Sequence, residues 1–140
     1  MFDVFKSQEV RNMEMFEAAL RKVGLRFETD RKKCNVDVSF SGNNLKSFTF
    51  SFFFNKDGKS VTVFALDVVT FDTAKYDQAC RICNELNTDA LWLRYMVNQK
   101  DGSMDAETEI AVSGKNAGEI CVYVLGEIVE ELDAACARFN

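Results

Sequence analysis

The chain of 140 residues reads as a single α+β domain over 1–140: an antiparallel sheet flanked by helices, in the order α-β(β)ββ-α-ββ-α. Three observations predict it. Apolar residues recur at helical spacing in three segments and at every second position between them. Tight-turn sequences join consecutive strand candidates, which means antiparallel pairing. Strands come in runs with the helices kept apart from them, which is the α+β arrangement. With 47% hydrophobic and 28% charged residues the chain can bury a core without disulfide staples.

The first helix starts after Ser7, an N-cap residue type, and stops at Gly24. Val10, Met13, Phe16, Ala19, Leu20 and Val23 form its apolar stripe. After Gly24 the period becomes two. Leu25 to Glu28 is a short strand candidate. Val36, Val38 and Phe40 alternate with Asp37 and Ser39, and Ser41 to Asn44 is turn chemistry. Phe48, Phe50, Phe52 and Phe54 alternate with Thr49 and Ser51. Such a strand is an aggregation hazard at an edge, so it is expected to be paired on both sides. Asn55 to Gly58 is a hairpin turn.

Ser60 to Thr70 is apolar on both faces. Asp72 caps a second helix with Tyr76, Ala79, Cys80, Cys83 and Leu86 on its stripe, and Asn87-Thr88-Asp89 ends it. Leu91 to Asn98 is again a two-faced strand. After the Lys100–Ser103 turn, Met104 to Val112 sets Ala106, Thr108 and Ile110 against Asp105, Glu107 and Glu109, an edge or one-sided strand. Ser113 to Asn116 breaks the pattern. The last helix carries Ile120, Cys121, Val124, Leu125, Ile128 and Leu132 on one long face.

The two-faced strands are the most informative feature. A sheet with helices on one side needs apolar residues on one face only. Phe53, Phe64, Leu66, Val68, Trp92 and Met96 fall on the second face. Either the first helix covers them or another chain does, and aromatics and methionine are enriched at interface cores. These six are the candidate partner-binding or dimer-binding residues. Trp92→Asp is expected to abolish binding while leaving the fold intact.

Charge narrows the partners. The net charge is −5, which disfavours nucleic acid and anionic membrane surfaces. Residues 1–70 carry 11 basic and 9 acidic side chains, a balance of +2; residues 71–140 carry 6 and 13, a balance of −7. The basic cluster of Arg21, Lys22, Arg26, Arg31, Lys32 and Lys33 reads as a helix end and the turn after it. Five cysteines, an acid at Asp3 in place of a basic leader and no apolar run of transmembrane length point to the cytoplasm, without a membrane anchor.

Familiar chemistries find little support. The absence of histidine excludes Ser-His-Asp and Cys-His catalysis and His-ligated metals. Cys80-Arg81-Ile82-Cys83 is a CxxC, but it lies inside a helix rather than at its N-terminus, where the dipole would activate a thiol. Zinc would need two further ligands from Cys34, Cys121 or Cys136. Gly58-Lys59-Ser60 ends like a P-loop, yet Phe53 stands where its first glycine belongs. Asp101 to Glu109 resembles a calcium loop whose obligatory glycine is Ala106. Glu127, Glu130, Glu131 and Asp133 read as the wet face of the last helix. No catalytic residue, metal site or cofactor is expected.

The phrase Cys83-Asn84-Glu85-Leu86-Asn87, followed by the strand Leu91-Trp92-Leu93-Arg94-Tyr95, resembles the signature of the YbjN family, whose members are described as bacterial sensory-transduction regulators. The resemblance covers nearly the whole chain in its order of elements. It implies the fold of class I type III secretion chaperones, which are small, acidic, usually dimeric proteins that bind extended partner segments. It brings no catalytic residues. The expected function is a non-catalytic cytoplasmic protein-binding module, chaperone-like or regulatory and homodimeric. It would bury a partner's apolar side chains on a sheet face. The alternatives are a thiol or metal protein using Cys80 and Cys83, and a small-molecule sensor with its ligand in the aromatic core.

Overall fold

Strand β3 (Phe48–Phe54) lies inside the sheet because every second residue is a phenylalanine that water disfavours. In the computed structural model, which describes residues 6–44 and 47–139, Phe48, Phe50, Phe52 and Phe54 are buried and Thr49, Ser51 and Phe53 are not. Met1 to Asp3, read above for targeting, lie outside the described residues. β3 pairs with β2 (Asn35–Phe40) on one side and β4 (Ser60–Thr70) on the other, as expected. With β1 (Glu28–Asp30), β5 (Arg94–Asn98) and β6 (Ser103–Ala111), these form a six-stranded antiparallel sheet in the order β1-β2-β3-β4-β6-β5.

Three helices interleave with the strands: α1 (Gln8–Lys22), α2 (Tyr76–Asp89) and α3 (Ala117–Cys136). The single-domain α+β reading holds, with helices and strands in the expected order. Met13, Phe16 and Leu20 of α1 join Val124, Ile128 and Leu132 of α3 and the phenylalanine face of β3 in one core. The Phe16 ring lies 4.5 Å from Phe52 and 5.8 Å from Phe54. α1 and α3 lie against each other and against this face, and α2 lies beside β5. The core therefore fills one side of the sheet only.

Two buried polar contacts fix the α1 end of the sheet. Asn12, 1% exposed, donates to the Gly58 carbonyl at 3.0 Å and accepts from Gln8 at 2.9 Å. Gly58 has φ +70°, and a Cβ there would lie 2.7 Å from Gln8 Cβ, so both the turn and the close approach require glycine. The Asp57 carboxylate accepts from the Lys59 and Ser60 amides, so the Gly-Lys-Ser residues form a hairpin turn.

Four expectations are corrected. The first strand lies at Glu28–Asp30, not Leu25–Glu28, because that is where the chain meets β2. Of the two readings of Met104 to Val112, the one-sided strand holds, with Met104, Ala106, Thr108 and Ile110 buried, and the edge does not: β4 pairs with β6 and β5 takes the edge. Leu91 to Leu93 are not strand. Asp72 caps a 3₁₀ turn over Thr73–Lys75, accepting from the Ala74 amide at 2.9 Å, and α2 begins after it.

Candidate interaction surface

Among the described residues the second face of the sheet carries no helix, and register arranges its side chains in three rows. Asn35, Phe53, Thr62 and Glu109 form one; Asp37, Ser51, Phe64, Glu107 and Arg94 form the next. The third runs from Ser39 and Thr49 to Asp105 and Met96, with Leu66 of β4 between. Phe53 and Phe64 meet edge to face, ring centroids 6.0 Å apart at 73°. Leu66 is 64% and Met96 43% exposed.

Polar chemistry surrounds this apolar strip. Glu28, Asp30, Asp37, Asp105, Glu107 and Glu109 put six carboxylates on the face, and the Arg94 guanidinium reaches Glu107 at 3.1 Å. The Ser39 and Thr49 hydroxyls share a hydrogen bond of 2.7 Å. Beyond them a groove of about 680 Å³ opens between Asp37, Ser39 and Thr49 and the segment Arg26-Phe27-Glu28. The face is acidic with an apolar centre.

Of the six sequence candidates, four stand here: Phe53 and Phe64, half-buried against each other, and Leu66 and Met96. Val68 does not. Ala65 pairs with Ala106 and Val69 with Met104, so four residues of β4 step against two of β6. Asp67 adopts φ 52° in this bulge and donates its amide to Asp105 at 2.8 Å. The irregularity turns Val68 into the core, where it is 8% exposed. Trp92 is also misplaced by strict alternation. It precedes β5 and packs, half-buried, against the core, with its indole N–H shielded and unpartnered among the described residues.

Three polar residues to which the sequence reading gave no tertiary contact hold the frame. Glu131 of α3 accepts the amides of Leu91 at 2.7 Å, Trp92 at 3.2 Å and Leu93 at 2.7 Å. Asp133, one turn-half further along α3, accepts the Asn43 and Asn44 amides at 3.2 and 2.9 Å. A Cβ on Gly42 would lie 2.2 Å from the Asp133 carboxylate, so a side chain there would push that carboxylate off the Asn43 and Asn44 amides. Neither acid is simply wet helix surface. Asn87, the last residue of the family-like phrase, accepts the Tyr95 amide at 2.7 Å and donates to the Tyr95 carbonyl at 3.0 Å. It takes the place of a neighbouring strand and closes the β5 edge at that residue. At the opposite edge β1 is three residues long, too short to template a strand.

The cysteines are free and four of the five are buried, Cys80 being half-buried. Burial pushes the Cys83 thiol up to about 11, away from the thiolate that redox or metal chemistry uses. Among the described residues no group of three or more His, Cys, Asp or Glu side chains is placed to hold a metal, and no helix is long and apolar enough to cross a membrane. Comparison with family models, curated proteins and solved structures finds no match.

Proposed function

We propose that the chain is a non-catalytic protein-binding module, chaperone-like or regulatory. In this reading its uncovered sheet face receives an extended segment of another protein bearing alternating basic and apolar side chains. The observation that carries the reading is that face: Leu66 and Met96 stand exposed beside the Phe53–Phe64 pair in an acidic setting. Extended chains present side chains at a period of two, which matches rows of acidic and apolar side chains on a sheet. The edges support the same choice, since Asn87 blocks one and β1 is too short at the other.

Charge favours a basic partner over a second copy at this face, because two copies would set six carboxylates against six. Five free cysteines support a reducing, cytoplasmic compartment. Kinship with the YbjN family belongs to the same proposal. Its support is the Cys83–Asn87 phrase with the Leu91–Tyr95 segment after it and the order of elements.

Fluorescence anisotropy with a labelled peptide alternating lysine and leucine tests the reading. Binding is expected to weaken with salt, and Leu66→Asp or Met96→Asp to weaken it about tenfold, roughly 1.4 kcal/mol. A peptide alternating glutamate and leucine should not bind. Equal binding of both peptides, or indifference to the two substitutions, overturns it.

A further inference from the structure

The helix side of the sheet holds a cleft of about 260 Å³, lined by the C-terminal halves of α2 and α3 and by Tyr95 of β5. Side chains alternate along β5, so buried Tyr95 faces the helices while exposed Arg94 and Met96 face the open side. Leu86 and Ala90 from the end of α2, and Ala134 and Ala135 from α3, form the apolar walls. Alanine at three of these four positions leaves the space between the helices unfilled.

The telling group is the Tyr95 hydroxyl. Tyr95 is 3% exposed, and its hydroxyl has no hydrogen-bond partner among the described residues. A buried hydroxyl without a partner weakens a fold, and phenylalanine would fill the same place without that cost. Nothing in the chain itself requires the hydroxyl. Burial, and after it the Glu131 carboxylate, pushes the phenol's pKa up. The phenol therefore stays protonated, and Glu131, which also lines the cleft, is within electrostatic reach of it.

Charge sets the kind of ligand. Glu85, Asp89, Glu131 and Arg138 ring the cleft. Arg138 pairs with Glu85, and three amides hold the Glu131 carboxylate in place. Asp89 makes no ion pair among the described residues. Three carboxylates against one guanidinium attract a cation and repel an anion. Drug-sized ligands occupy pockets of about 300–1,000 Å³, so this cleft suits a smaller molecule with a single ring.

We propose that the cleft binds a small organic amine. Its ammonium group lies beside Asp89 and Glu131, its flat apolar body against Leu86 and the alanines, and a polar group at its far end pairs with the Tyr95 hydroxyl. A phenol that carries an amine has this form. The cleft lies on the other side of the sheet from Leu66 and Met96, so the inference is independent of the sheet-face reading.

Titration calorimetry with tyramine, a ring with a phenol at one end and an ammonium at the other, tests it. One-to-one binding is expected. Para-hydroxyphenylacetate, which has a carboxylate in place of the amine, should not bind. Asp89→Asn should weaken tyramine about tenfold. Ala134→Leu changes an exposed helix position, so it should abolish binding by filling the cleft while the melting temperature is kept. Tyr95→Phe should melt no lower than wild type yet bind tyramine about tenfold more weakly, while phenethylamine, which lacks the phenol, binds both alike. Leu66→Asp and Met96→Asp should leave tyramine binding unchanged. A wild type that does not bind tyramine, equal binding of para-hydroxyphenylacetate, or unchanged affinity in Ala134→Leu or Tyr95→Phe overturns the proposal.

Discussion

Removing the Glu131 carboxylate should release the chain entering β5. Three consecutive amides, those of Leu91, Trp92 and Leu93, converge on it at 2.7, 3.2 and 2.7 Å. Hydrogen bonds to a charged group contribute about 1.5–3 kcal/mol each. The Leu91 amide belongs to a residue 79% exposed and regains water when the acid is lost, so it counts for little. Leu93 is 1% exposed, and its amide is left without an acceptor. The Trp92 bond is the longest and weakest. Together these place Glu131→Ala at about 2–4 kcal/mol. Unfolding entropy of about 2.1 cal/mol/K per residue makes 1 kcal/mol worth roughly 3 °C for a chain of this length, so melting should fall by about 6–12 °C. Glu131→Gln keeps one acceptor oxygen and should lose about half as much. Urea denaturation followed by circular dichroism measures the loss. Fluorescence of Trp92, the only tryptophan, reports the released segment directly. A Glu131→Ala protein within about 0.5 kcal/mol of wild type would show that the three bonds do not hold the segment and would refute the reasoning.

Further outcomes follow from the same geometry. Asn87→Ala removes two bonds to Tyr95 and should cost about 1–2 kcal/mol; sedimentation should also show association that grows with concentration, as the β5 edge is laid bare. Trp92→Asp should unfold the protein rather than merely weaken binding, because it sets a charge against the core; Trp92→Phe, which deletes an unpartnered N–H, should be close to neutral in urea melts. Burial raises the thiols of Cys83 to about 11 and of Cys121 and Cys136 to about 12 from the ordinary 9.0. Their folded values exceed the unfolded one, so this contribution to stability is complete below pH 9.0 and lost as pH rises from there through about 12. A urea midpoint that does not fall between neutral pH and that alkaline range would contradict their burial.

The elements were legible where the signal is local. The alternation of phenylalanine over Phe48–Phe54 reproduces β3 and its buried face, and apolar spacing marks all three helices. What escaped was set by distant partners. Nothing in Met104 to Val112 tells that β4, not a solvent edge, will lie beside it. Glu131 and Asp133 fall on the polar side of their own helix, and helical spacing carries no information about loops 38 to 90 positions away in sequence. The bulge at Asp67 shifts the phase of β4, so Leu66 stays on the open face while Val68 leaves it. A two-residue period cannot foresee the extra residues that break it.

If the open face receives a partner as proposed, its chemistry suits selective rather than tight binding. The Phe53 and Phe64 rings, though apolar, already cover each other in an edge-to-face contact, which a partner cannot gain a second time. What remains to be buried is chiefly Leu66, 64% exposed, and Met96, 43% exposed. At about 1.5–3 kcal/mol for a full side chain, these fractions supply roughly 2–3 kcal/mol between them. That falls far short of the roughly 8 kcal/mol of a micromolar complex. The remainder must come from charge pairing with Asp37, Asp105, Glu107 and Glu109 and from main-chain and polar contacts along the rows. Of these, the charge contribution is the one that salt removes, so a partner of this face should bind in low salt and let go as ionic strength rises.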